Sequence, residues 1–183
     1  MTRDEILQFI NENPIFALGT IDGDRPRVRY MMVSFADDRG IIFCTGKTKE
    51  VYLQLCNVPA VEMCFADADR QRQVRIEATA EETDDLEVKK AIVEKFDFLR
   101  PWVDEVGYEG MAAFRLADAR ACAWTMETEA ATLVHARLSN HNAKWRASAT
   151  PPALATTQSE PESRRKASRC RLTANGTNRT VVN

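Results

Sequence analysis

Two short basic clusters hold the residues best suited to chemistry. Arg25, Arg27 and Arg29 are spaced by two, so an extended chain places Arg27 and Arg29 on one face. Thr45-Gly-Lys47-Thr48-Lys49 joins the end of an apolar run to the start of a helical one. Lysine brings a point charge and arginine a flat fork of donors. The free amides of a helix N-terminus add partial positive charge, so the two clusters together make a site for an anion such as phosphate. Each cluster alone also reads as a solvated basic turn or a charged hairpin. Joint use requires their strands to be neighbours.

Other chemistries find little support. Both histidines, His135 and His141, lie beyond residue 128, so residues 1–128 offer no imidazole for a Ser-His or Cys-His pair, a metal or a haem iron. The cysteines Cys44, Cys56, Cys64, Cys122 and Cys170 are scattered and form no CxxC pair, which reads as free thiols rather than zinc ligands. No GxGxxG or GxxxxGK[ST] occurs. No metal site and no acid–base pair of the chain's own is evident, so catalytic residues stay unassigned.

Charge divides the chain in two. Residues 131–183 contain nine Lys/Arg and two Asp/Glu, leaving 16 basic and 25 acidic residues in 1–130. An acidic body argues against nucleic acid as a partner. No apolar run reaches the ~20 residues of a membrane span, and the acidic start MTRDEILQF is unlike a secretory leader. A cytoplasmic protein with no membrane partner is expected.

The elements that position the clusters follow from periodicity. Thr2 and Glu5 fit a capping box ahead of a helix with Ile6, Phe9 and Ile10 on one face, stopped by Asn13-Pro14. Strands are expected at 15–21, 27–35, 41–45, 60–66, 72–82 and 111–126, with Asp22-Gly23 as a hairpin turn. A short helix at 48–57 turns Val51, Leu55 and Tyr52 inward. A second, over 84–98, presents Leu86, Lys89/Lys90, Val93 and Phe96, with Glu81, Glu82, Asp84 and Asp85 as its turn and N-terminus. Arg100-Pro-Trp102 reads as a loop. Six strands in this order make a mainly β fold, an antiparallel barrel with peripheral helices.

Residues 1–128 form the expected domain, and 129–183 read as a disordered basic tail. Over 146–183 no apolar period survives to offset the chain's entropy. A change of reading frame near residue 130 would leave sequence of this kind. Within it, 163–166 is a solvated basic run, and the acceptor-like Asn175 and Asn178 are chance matches.

The hairpin, the Arg29 strand, Phe43-Cys44-Thr45, Thr48-Lys49, Asn57-x-Pro59 and Arg72-Gln73-Val74 stand in the order seen in one family. Over residues 15–127 the chain resembles the FMN-binding split β-barrels of the pyridoxamine 5'-phosphate oxidase family, especially their short members. The resemblance implies FMN as cofactor, with Arg29 and Lys49 on its phosphate, Thr48 beside them and Lys47 as a second cation. Tyr30, Met31 and Met32 would lie along the isoalloxazine ring, largely through backbone. Cys44 and Thr45 would line the ribityl chain or ring edge, and Gln73 or Arg75 would reach the ring from the adjacent strand. Trp124 is either core or, across a dimer, a stacking partner for the flavin.

Thr48 stands where the family usually has an arginine, and Ser34 where longer oxidases place a lysine. The C-terminal Arg-x-Trp…Arg-Leu-x-Pro region of the vitamin B6 enzymes has no counterpart, and Ala136-Arg137-Leu138-Ser139 is not one. The implied protein is an FMN-dependent oxidoreductase on a small molecule. The alternatives are a non-catalytic flavin carrier or redox sensor, or a deazaflavin F420 or haem binder. A homodimer is implied, paired through the sheet that carries Tyr30, Met31 and Met32, with flavin between subunits.

Overall fold

The computed structural model describes residues 1–126 and, as backbone, the strand 128–137. Helix α1 (Arg3–Glu12) begins where the capping box places it. The Thr2 hydroxyl accepts from Glu5 N, and the Glu5 carboxylate accepts from Thr2 N at 2.6 Å. Its buried face is Ile6, Leu7, Phe9 and Ile10.

Strands β1 (Ile15–Asp22) and β2 (Arg25–Asp37) form a hairpin with Asp22 opposite Arg25. Gly23, at the first loop position, has φ +63°, the conformation a II′-type turn needs there. Strand β3 (Gly40–Gly46) follows, then α2 (Glu50–Asn57), β4 (Ala60–Ala66) and β5 (Arg72–Thr83). Beyond α3 (Leu86–Lys95), a 3-10 turn (Asp97–Leu99) and α4 (Arg100–Val106), the long β6 (Met111–Thr125) leads into β7 (Thr128–Arg137).

Neighbouring strands run in the order β3-β2-β1-β4-β5-β6, all antiparallel, and β6 pairs back onto β3. That closes a six-stranded barrel. β6 is long enough to serve two ladders: Met111 to Arg115 pair with β3, and Arg120 to Thr125 pair with β7. Between them an extra residue and Asp118 at φ +52° bend the strand, a bulge where aspartate tolerates the left-handed region.

Phe16, Phe43, Phe65 and Phe114 fill the barrel, with Phe43 stacked on Phe114 at 5.5 Å between ring centroids. Each such ring contributes roughly 1.5–3 kcal/mol by leaving water. Outside the wall, α3 and α4 cover β3 and β6, building a second core from Ile42, Met111, Ala113, Val88, Ile92 and Val103.

Four expectations need correction. The helical stretch 84–98 is cut short at Lys95, and its buried face is Val88, Lys89, Ile92 and Val93, while Leu86 is 45% exposed. Asp85, whose side chain accepts from Glu87 N, fixes the start and hence the phase. Arg100-Pro-Trp102 is the first turn of α4, not a loop, because proline suits a position whose N–H would be unpaired. Glu81 and Glu82 lie within β5 rather than in a turn. Finally, the chain beyond 128 continues as β7 and carries His135 on a strand of the sheet. The run 163–166, His141, Cys170, Asn175 and Asn178 lie outside the described residues.

Candidate functional site

Helix α2 lies over one end of the barrel, with Val51 and Leu55 facing the interior. Its N-cap, Lys49, makes no side-chain cap, whereas α1 is capped by Thr2 and α3 by Asp85. No side chain caps the amides of its first turn, of which Tyr52 N donates to the Lys49 carbonyl at 3.0 Å, and Lys49 and the exposed Thr48 stand beside them.

Arg29 reaches the same helix from β2. It stands opposite Leu18 of β1, so it shares the inward face, and it is part-buried at the barrel end. Its Nη2 donates to Gln54 Oε1 of α2 at 2.6 Å, and its Nη1 donates to Thr20 Oγ1 of β1. The Thr20 hydroxyl in turn donates to Gln54 Oε1 at 2.6 Å. Thr20 and Gln54 are only 2% and 5% exposed, in a mainly apolar interior. Burial and the neighbouring Arg27 push the Arg29 guanidinium downward, and Glu50 opposes them. Arg27 itself turns to Asp22, with Nη2 to Oδ2 at 3.0 Å.

The other flank of α2 is differently built. Lys47 Nζ lies 3.0 Å from Glu82 Oε1 and 5.8 Å from the Tyr52 ring centre. The Tyr52 hydroxyl donates to Glu82 Oε2 at 3.2 Å, and burial, together with Cys56 and Glu82, raises its pKa and keeps the phenol protonated. Lys47 thus already has a carboxylate partner. Gly46, just before it, packs so close to the Trp102 ring that a Cβ there would lie 3.1 Å from it.

Thr45 and Cys44 fall on opposite sides of β3. Thr45 faces inward, and its hydroxyl is buried without a hydrogen-bond partner among the described residues. Cys44 packs into the second core under α3 and α4. Burial raises its thiol pKa, with the Ser34 hydroxyl and the Lys49 charge opposing, which disfavours a reactive thiolate. Ser34 is the extra residue of a bulge between Val33 and Phe35, and its buried hydroxyl lies beside the Cys44 thiol.

The remaining predicted residues gather on the outer wall. Tyr30, Ala17, Cys64, Arg75 and Cys122 face one another in turn across β2, β1, β4, β5 and β6. Met32 stands opposite Ile15, and Gln73 opposite Trp124, on the same outward side. Tyr30 is 81% exposed and Val28 73%. Arg75 lies 3.7 Å from Glu62, and Cys122 and Glu62 beside it raise its guanidinium pKa. Met31 departs from the expected strip: it sits opposite Phe16 and packs against the barrel core. Trp124 is half-buried on the outer wall and is not a core residue. Gln54 and Thr20 were not expected from the sequence, although each is a polar residue at an inward position of an apolar pattern: 16, 18, 20 in β1 and 51, 54, 55 in α2.

The family model for pyridoxamine 5'-phosphate oxidase matches residues 2–97, just over half of the chain. The chain belongs to that family. Structural likeness agrees across the oxidase fold. A NimC/NimA family protein from Clostridium acetobutylicum superposes with a TM-score of 0.61 at 23% identity, over 69% of this chain and 87% of that one. A putative pyridoxamine 5'-phosphate oxidase from Listeria innocua gives 0.57 at 17% identity, over 69% and 98%. HutZ, described as a heme storage protein of Vibrio cholerae, gives 0.50 at 19% identity, over 63% and 89%. At these identities the likeness concerns the fold alone. No curated protein matches the sequence.

Proposed function

We propose that this member of the oxidase family binds FMN and serves as a flavin-dependent oxidoreductase on a small molecule. The observation that carries the reading is the end of the barrel at α2. There a helix N-terminus without a side-chain cap, with Lys49 at its N-cap, is joined by a part-buried Arg29 that reaches from β2 to Gln54, one turn further along the same helix. The buried, unbonded Thr45 hydroxyl lies on the strand leading into it and offers a donor to a polar ligand. These groups suit a phosphomonoester dianion.

Arg29 and Lys49 would hold the phosphate, with Thr48 beside them, while Lys47 is the weaker candidate because Glu82 answers its charge. Tyr30, Met32, Gln73, Arg75 and Trp124 on the outer wall, with the backbone of Met31, would take the ring. Bound FMN supplies hydride or electron transfer. The chain's own part is to anchor, orient and cover it, since 1–126 holds no histidine for proton work.

The exposed Tyr30 and Val28 on a face lined by small residues support a homodimer, which would place the ring between subunits. A cytoplasmic location is part of the proposal; separately, no described helix is long and apolar enough to cross a membrane.

A haem-binding alternative gains one observation, the placement of His135 on β7. The absorption spectrum of the protein as purified, and after adding FMN, tests the choice. Flavin bands support the proposal, while a Soret band or a deazaflavin spectrum overturns it. Light scattering with and without FMN tests the shared site. A chain that binds FMN tightly as a monomer would remove the dimer from the account.

A further inference from the structure

Among the described residues, seven of the eleven arginines in 1–126 lie within ion-pair distance of an Asp or Glu: Arg3, Arg27, Arg39, Arg72, Arg75, Arg100 and Arg115. Of the other four, Arg25, Arg70 and Arg120 are exposed. Arg29 differs: its hydrogen-bond partners, Thr20 and Gln54, are both neutral, and Glu50 acts on it only from beyond ion-pair distance.

Those partners are costly places for polarity. Thr20 follows Phe16 and Leu18 on the inward face of β1, and Gln54 lies between Val51 and Leu55 on the inward side of α2. A buried hydroxyl or amide is unfavourable unless bonded, and apolar residues would suit a purely structural interior better. The two are bonded to each other and to Arg29. Together they fix the guanidinium from two elements while leaving its charge unanswered. A group fixed before its ligand arrives gives up less freedom on binding.

We propose that Thr20 and Gln54 are positioning residues that hold Arg29, fixed but uncompensated, for the phosphate of a bound flavin, and so set the preference for phosphorylated over unphosphorylated cofactor. The proposal rests on the FMN reading above. Because Gln54 belongs to the helix that Lys49 caps, the same bonds hold the two cations in register.

The test is a pair of titrations of the full chain, with FMN and with riboflavin, read by flavin fluorescence. Wild type is expected to prefer FMN. Gln54→Glu keeps the side chain's size but gives Arg29 a carboxylate partner, and should cut FMN affinity roughly 10- to 150-fold while riboflavin is little changed. Thr20→Val should lower the preference in the same direction, and Thr20→Ser should retain it. If Gln54→Glu does not fold, the Thr20 pair decides. If Arg29→Ala abolishes the preference but Gln54→Glu and Thr20→Val leave it intact, the positioning role is overturned and the phosphate assignment stands. If wild type shows no preference for FMN at all, the phosphate assignment itself fails, and the positioning role with it.

Discussion

The two flanks of α2 use similar materials to different ends. On one, Lys47, Glu82 and Tyr52 tie the helix's surroundings to β5 through an ion pair at 3.0 Å and a tyrosine hydroxyl. On the other, Arg29, Thr20 and Gln54 tie it to β1 and β2 through neutral acceptors. Both arrangements fasten the helix over the barrel end, and both contain one cation. In the first the charge is answered within the fold. In the second it is left for something else to answer. A count of basic residues near a helix start is therefore a poor guide to an anion site, and the partner of each cation decides.

The largest expected effect is on the uncompensated flank. Arg29→Ala should weaken FMN roughly 10- to 150-fold, as loss of a charge-assisted hydrogen bond does, while riboflavin barely changes. Lys49→Ala should act in the same direction. Equal losses for both flavins, measured by titration, would erase the distinction between the flanks.

Glu82→Gln should move the compensated flank toward the other by releasing Lys47. FMN is expected to tighten about two- to fivefold, with a small loss of melting temperature. By the same logic Lys47→Ala should change FMN affinity less than about threefold, since a half-exposed ion pair is worth about 0–1 kcal/mol. A Lys47→Ala loss as large as that of Arg29→Ala would show that Glu82 does not claim the lysine.

The smallest expected effect concerns Lys89, buried close to Lys47, with Nζ donating to Tyr108 O at 3.2 Å. Burial and the Lys47 charge hold its ammonium below the ordinary value of 10.5, with Asp84, Glu82 and Glu109 opposing. Between the lowered value and 10.5 the unfolded chain binds more protons than the folded one, so this lysine's penalty fades as pH rises through that window. Melting curves of wild type and Lys89→Met should therefore shift relative to each other in favour of wild type as pH rises from 7 toward 10. A gap that does not change with pH would contradict the sign.

Much of the barrel was legible because its strands alternate and its turns are marked. Ala60–Ala66 follows Asn57-x-Pro59 and occupies the expected span. Other parts failed for physical reasons. Arg100-Pro-Trp102 reads as a loop, yet proline is at home in a first helical turn. Tyr30, Met31 and Met32 read as one strip, although successive residues of a strand cannot share a face. β7 lies where the composition shifts, so its pairing with β6 was hidden by the sequence that follows it. Thr20 and Gln54 were visible as polar residues in apolar patterns, but which cation they hold depends on a contact between β2 and α2 that local periodicity does not encode.

The return of β6 onto β3 also bears on how the chain reaches this state. That ladder joins Ile42 to Arg115 and Gly46 to Met111, positions roughly 70 residues apart, whereas the β1–β2 hairpin closes over a two-residue turn. The loop entropy of the long-range ladder must be met before its contacts help, so the hairpin is expected to form early and the seam of the barrel late. Because α3 and α4 dock across that seam, substitutions in their buried faces, such as Ile92→Val, should accelerate unfolding more than they slow refolding.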